Sequence, residues 1–127
     1  MRFRHLLVGL ACALLFVTYS TSQAGTGTIK GIVKDKSGAA VFRARVLAIE
    51  INSLEERRAQ ASFNGEFIFE QLPAGEYDIL FATPVTVPCF NPVMKRVKLE
   101  PKSVVKLSVE MALNIRKCPE PVQTKTQ

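Results

Sequence analysis

Apolar and polar residues alternate along most of this chain, at the two-residue period of a half-buried strand rather than the spacing of a helix. Phe67 and Phe69 alternate with Glu66 and Glu70, and Tyr77, Ile79 and Phe81 begin a second such run. Nearer the C-terminus Val105, Leu107, Val109 and Met111 alternate with Lys106, Ser108 and Glu110. An earlier run over 27–34 places Ile29, Gly31 and Val33 on one face. The stretch 43–51 is ambiguous. Ala44, Val46 and Ala48 share a parity that then reaches Glu50, while Leu47, Ile49 and Ile51 take the opposite one. Either a bulge switches the faces near Ala48, or the far end is covered on its other side. Further strands are predicted at 57–63 and 95–99, giving seven in all.

Turn chemistry separates these runs. Asn64-Gly65 suits a type I′ turn, in which both central residues take positive φ. Asp35-Lys36-Ser37-Gly38, Leu72-Pro73-Ala74-Gly75 and Glu100-Pro101-Lys102 mark three more turns. The loop 83–93 contains Pro84, Pro88 and Pro92 and is excluded from any central strand. Short strands with regular punctuation predict an all-β fold, a seven-stranded antiparallel Greek-key β-sandwich, rather than parallel βαβ units. Tyr77 follows the Pro73–Gly75 turn closely, so its hydroxyl can reach back to turn backbone as in a tyrosine corner. Gly65, Pro73, Gly75 and Tyr77 are therefore expected to be structural.

Residues 1–24 have a different character. A basic head of Arg2, Arg4 and His5 precedes an apolar stretch too short for a membrane span, and Ser22-Gln23-Ala24 offers small residues at a peptidase site. A cleaved signal peptide is expected, with the domain over 25–114 and a polar tail over 115–127. Cys12 lacks the apolar residue usual three positions before a lipoprotein cysteine and is read as part of the leader. Export implies a secreted or periplasmic protein that meets the membrane only through the signal segment. In such a compartment Cys89 and Cys118 favour a disulfide, worth about 3.5 kcal/mol by chain entropy for a loop of this length. Free thiols or a metal pair are the rival readings; the chain's one histidine, His5, lies in the leader.

Charge adds little. Removing Arg2 and Arg4 with the leader lowers the formal net charge of +6 by two. The densest positive group, Lys95, Arg96 and Lys98, lies on a predicted strand, where lysines guard a sheet edge. No aromatic-studded basic groove accompanies it, so nucleic acid is not an expected partner.

The paired motifs Gly31-x-Val33-x-Asp35-x-x-Gly38-x-x-Val41-x-x-Ala44-x-Val46 and Asn64-Gly65-x-Phe67-x-Phe69-x-x-Leu72-Pro73-x-Gly75-x-Tyr77 resemble the carboxypeptidase regulatory-like domain. The resemblance spans 27–112 and implies a transthyretin-like (prealbumin-like) sandwich, generally an accessory or binding module. Departures fall at Phe42-Arg43, where Pro-Gly is common, at Ala61-Ser62-Phe63 before the Asn-Gly turn, and in the Cys89 loop.

Enzymatic readings fail on inventory. Relatives that hydrolyse hydroxyisourate use histidines and a Tyr-Arg-Gly-Ser end, and intradiol dioxygenases use tyrosine and histidine iron ligands. Tyr77 is the one tyrosine after the leader. Glu66, Glu70, Glu76 and Asp78 have outward parity and read as a solvated face. A Lys–Asn isopeptide bond between Lys30 and Asn114 would need an inward acid, which Glu50 supplies only if the strand over 43–51 keeps its parity to the end, and Lys30 has outward parity. No catalytic residue, metal or cofactor is expected. The chain reads as a non-catalytic binding module for an extracytoplasmic protein or a carbohydrate. The alternative is a cell-envelope assembly protein that self-associates through a sheet edge. If the strands alternate in direction, one pole gathers Phe42, Arg43, Phe63 and Phe90 beside Cys89 and Cys118, with Lys36, Arg116 and Lys117 at its rim. That pole is the expected partner surface, unless the rings fold over the disulfide as a small second core.

Overall fold

The computed structural model describes residues 25–84 and 89–118. The expected leader 1–24 with Cys12, the proline at 88 and the tail beyond Cys118 lie outside the described residues. Seven strands follow in order: β1 (Thr26–Asp35), β2 (Arg45–Glu50), β3 (Glu56–Gln60), β4 (Glu66–Pro73), β5 (Gly75–Ala82), β6 (Val93–Leu99) and β7 (Val104–Met111), ending in a 3-10 turn at Ile115–Lys117. They form two sheets, ordered β4-β1-β7 and β3-β2-β5-β6. The inward sets predicted from alternation are buried, except that Gly31, Val105 and Leu107 are half-buried. Ile29, Val33, Val46, Ala48, Phe67, Phe69, Leu72, Tyr77, Ile79, Phe81, Val109 and Met111 make one core between the sheets. Burying a side chain of this size stabilises by about 1.5–3 kcal/mol. Phe81 sits at the centre, edge-on to Phe67 at 5.3 Å between ring centroids.

Three local expectations change, and one left open between two alternatives is decided. The ladder between β1 and β7 is parallel, whereas the others are antiparallel. The first and last strands run the same way because an even number of reversals separates them, and they meet as neighbours through long-range packing. The Asn64-Gly65 turn is not type I′: Gly65 has φ +77°, Asn64 is not left-handed, and Gly65 N–H donates to Ser62 O at 2.9 Å. This turn carries the chain from one sheet to the other, so it escapes the twist requirement of a hairpin within a single sheet. Gly65 is nonetheless required, since a Cβ there would collide with the Val33 carbonyl oxygen. β4 continues through Leu72 and Pro73 rather than turning there, with a bulge opposite β1 and Gln71 at φ +53°. The parity of β2 never switches. Its pairing with β3 and β5 is unbroken, Glu50 keeps the inward parity, and Leu47 and Ile49 lie half-buried on the outer face.

Candidate functional site

All seven strands alternate in direction along the chain, which sets two poles. At one pole lie the end of β1, the start of β2, the β3–β4 turn, the end of β5, the start of β6 and the exit of β7. Loop backbones tie these together: Val41 N–H donates to Val33 O, Ala61 N–H to Ala44 O, and Asn114 N–H to Cys89 O. Phe90 bridges Leu113 across the same region. A disulfide joins Cys89 to Cys118, with Cα atoms 4.4 Å apart, and so clamps the β5–β6 loop to the β7 exit.

The expected surface residues meet here in an uneven way. Phe42 and Phe63 stack face to face, with centroids 4.3 Å apart and planes within 8°. The Arg43 guanidinium lies 5.1 Å from the Phe42 centroid, within cation–π reach. Phe63 is 80% exposed and Phe42 43%, so this pair is not an enclosed second core. Arg43 has φ +60°, a left-handed conformation in the short link between Val41 and β2. Phe90 behaves differently: it is half-buried against the main core and lines a groove of about 560 Å³ with Phe42 and Arg43. Arg45, Gln60 and Pro84 border that groove too, and sequence reasoning missed them. Arg45 and Gln60 are cross-strand partners, a register that alternation alone does not disclose. Leu113 and Ile115 add further exposed apolar surface beside the disulfide, at 55% and 79% exposed. Lys36, Arg116 and Lys117 are solvent-exposed in the loops of this pole.

The opposite pole is closed by polar contacts. The Tyr77 hydroxyl donates to Pro73 O at 2.6 Å, which is the expected tyrosine corner. Burial pushes the Tyr77 phenol up from its ordinary range, and the nearby Glu50 carboxylate adds to this. Glu50 itself accepts a hydrogen bond from Ser53 N–H at 2.5 Å and is held below the usual carboxylate range mainly by that bond. Gly75 lies beside it: a Cβ there would approach Glu50 Oε1 to 3.2 Å. Glu50 and Asn114 thus sit at opposite poles, and Lys30 is exposed along β1, so no isopeptide arrangement forms.

The remaining carboxylates are occupied or solvated. Glu66, Glu70 and Glu76 are exposed. Asp78 is held by the Arg96 guanidinium through two bonds of 2.8 and 3.0 Å, which lower its pKa. Asp35 accepts from the Ser37 hydroxyl and from the Ser37 and Ala39 N–H groups, and its pKa is lowered chiefly by the Ser37 hydroxyl. Among the described residues, no three His, Cys, Asp or Glu side chains gather as a metal site. Among the described residues, too, no helix is long and apolar enough to cross a membrane.

Two sheets in this order, closed at one pole by a tyrosine corner, define a transthyretin-like β-sandwich. Residues 28–112 match the carboxypeptidase regulatory-like domain, and the chain belongs to that family. No curated protein sequence matches it. Among solved structures, a candidate carbohydrate-binding protein from Pseudomonas aeruginosa is similar, with TM-score 0.54 and 18% identity over 72% of this chain and 92% of that one. The group B streptococcus pilus 2b backbone protein gives TM-score 0.56 and 14% identity, over 72% of this chain and 42% of its own. A catechol 1,2 dioxygenase variant from Acinetobacter radioresistens gives 0.57 and 10%, over 83% of this chain and 57% of its own. At these identities the likeness is one of fold.

Proposed function

We propose that this chain is an exported, non-catalytic binding module that engages its partner at the Phe42–Phe63 pole. The observation that carries this reading is the exposed ring stack: Phe63, 80% exposed, gains almost nothing for folding where it sits. Arg43 over Phe42 and Arg45 along the adjoining groove give the apolar surface a basic rim, the anatomy of an interaction site. The Cys89–Cys118 disulfide holds the surrounding loops in place, which lowers the ordering cost of binding. It also fits an oxidising compartment, in keeping with residues 1–24 as a cleaved leader, 25–114 as the domain and 115–127 as a polar tail. A non-catalytic role is supported by the state of the acids: Asp78 is neutralised by Arg96, Asp35 and Glu50 cap turns, and Tyr77 is bound to Pro73.

The partner is an extracytoplasmic protein or a carbohydrate of the cell envelope. A flat exposed ring such as Phe63 can stack on a sugar face as well as pack in a protein pocket, and the similar protein from Pseudomonas aeruginosa is described as a carbohydrate-binding candidate. The test is paired capture, with the exported chain immobilised against envelope proteins and against an array of envelope glycans. Phe63→Ser is expected to lose whichever ligand the native chain retains while its melting temperature holds. Undiminished capture by Phe63→Ser would overturn the pole as the binding site.

A further inference from the structure

Four strands border open edges among the described residues: β3 and β6 in one sheet, β4 and β7 in the other. Three of these edges resist pairing with a copy of themselves. β6 carries exposed Lys95, Arg96 and Lys98, and two such strands side by side would set like charges together. β4 has Glu66 and Glu70 on its outer face and a bulge at Gln71. β3 is short, with Arg57 and Arg58 in succession. β7 carries only two charges, Lys106 and Glu110 of opposite sign, and lacks the like-charge run of β6, the bulge of β4 and the shortness of β3. It runs from Val104 to Met111 with no proline and no break in its register against β1.

The ladder also tells which backbone groups of β7 are free. Thr28 N–H donates to Ser103 O at 2.9 Å, and within a strand the N–H and C=O of successive residues point to opposite sides. Val105, Leu107 and Val109 therefore turn their backbone groups to β1, and Val104, Lys106, Ser108 and Glu110 turn theirs to the open edge. At the far end Asn91 N–H already donates to Ala112 O, closing the edge past Glu110. The open stretch is Val104 to Glu110, and its midpoint is Leu107. Val105 and Leu107 have inward parity and touch the core, yet both remain only half-buried at this uncovered rim.

We propose that β7 is a self-association edge, in which two copies pair antiparallel about a two-fold axis at Leu107. In this register every free N–H and C=O from Val104 to Glu110 meets a complementary group of the second copy. On the inner face Leu107 packs on the second copy's Leu107, and Val105 on the second copy's Val109. On the outer face Lys106 stands opposite the second copy's Ser108, and Glu110 opposite the second copy's Val104, so no like charges are directly opposed. The diagonals bring Lys106 within reach of the second copy's Glu110, and the two Lys106 side chains, also diagonal, are long enough to splay apart. A second copy of this chain is the occupant because the open stretch is complementary to itself about its own midpoint. This edge and the Phe42–Phe63 pole are separate surfaces, so either proposal stands without the other.

Light scattering of the full exported chain over a concentration series should show a monomer converting to a dimer. Ser108→Pro removes an N–H that β1 does not use, in a position an edge strand tolerates, and is expected to leave a folded monomer. Ser108→Lys sets a lysine opposite the second copy's Lys106 twice by symmetry and is expected to weaken the dimer by about tenfold without shifting the monomer's melting temperature. Hydrogen exchange gives the register directly: amides of Lys106, Ser108 and Glu110 gain protection as concentration rises, while those of Val105, Leu107 and Val109 are protected throughout. A chain that stays monomeric across the series overturns the proposal. So does a dimer that Ser108→Lys leaves unweakened, or one in which those three amides exchange as fast as in the monomer.

Discussion

The two poles of this sandwich use aromatic side chains in opposite ways. At one, Tyr77 is buried to 2% exposure and its hydroxyl closes a bond to Pro73 O, so the ring serves the fold. At the other, Phe42 and Phe63 stack on each other in solvent, while Val41, Ala44 and Ala61 next to them are buried and a disulfide clamps the β5–β6 loop to the β7 exit. The difference teaches where the stability of a small sandwich resides. One pole is fastened by a buried ring whose hydroxyl bonds backbone, and the other adds a covalent cross-link to the backbone bonds and small buried side chains of its loops.

The comparison can be broken or sharpened by measurement, and the largest effect is expected at the clamp. Cys89→Ser with Cys118→Ser should destabilise by about 3.5 kcal/mol in denaturant unfolding, because a loop closed over 29 residues of separation regains its freedom in the unfolded chain. A midpoint that hardly moves would mean that the backbone bonds of this pole suffice by themselves. Tyr77→Phe should destabilise by about 1–2 kcal/mol, because the part-buried bond from its hydroxyl to Pro73 O is lost. An unchanged midpoint there would remove the corner from the account while leaving the sandwich.

Titration sharpens the contrast further, with smaller effects. Glu50, Asp35 and Asp78 all have folded pKa values below their ordinary ones, so the stability they confer is present above the ordinary carboxylate range and is lost as pH falls through that range and below it. Tyr77 has a raised pKa, so its contribution is intact below the ordinary phenol value and declines as pH rises past it. Thermal melts across pH should therefore be flat near neutrality and fall at both extremes, and Tyr77→Phe should lessen the alkaline fall in particular. The smallest stability effect is expected for Phe63→Ser, within about 0.5 kcal/mol as for other exposed positions. A large drop in melting temperature would instead make the Phe42–Phe63 stack part of the fold.

Much of this was readable before any coordinates. The alternation in β1, β4, β5 and β7 named the buried faces, because a half-buried strand must separate its side chains by parity. The gathering of Phe42, Phe63 and the two cysteines at one pole followed from strand direction. Reading went astray where a local signal had two physical outcomes. Asn64-Gly65 marked a turn correctly, but its type depended on whether the flanking strands pair with each other, and they do not. The mixed parity of β2 could not be resolved without knowing that the outer face of its sheet half-covers Leu47 and Ile49. Strand direction puts Phe90 at the same pole as Phe42 and Phe63 but does not say which rings are exposed and which lean on the core, as Phe90 alone of the three does.

The sequence by itself determined the number of strands, the inward faces of β1, β4, β5 and β7 and the family to which the chain belongs, and it favoured the tyrosine corner and the pairing of Cys89 with Cys118. These depend on alternation, turn chemistry and motif spacing, all of which act over a few residues or leave a direct mark in composition. The tertiary structure alone decided that β1 and β7 lie parallel side by side, that Phe42 stacks on Phe63, and that, among the described residues, one edge of the three-stranded sheet stays open from Val104 to Glu110. Such neighbours are far apart along the chain, and parity says which way a side chain points but not which strand lies next to it. That choice is made by the packing of the whole core, where each pairing competes with every other for the same buried surface.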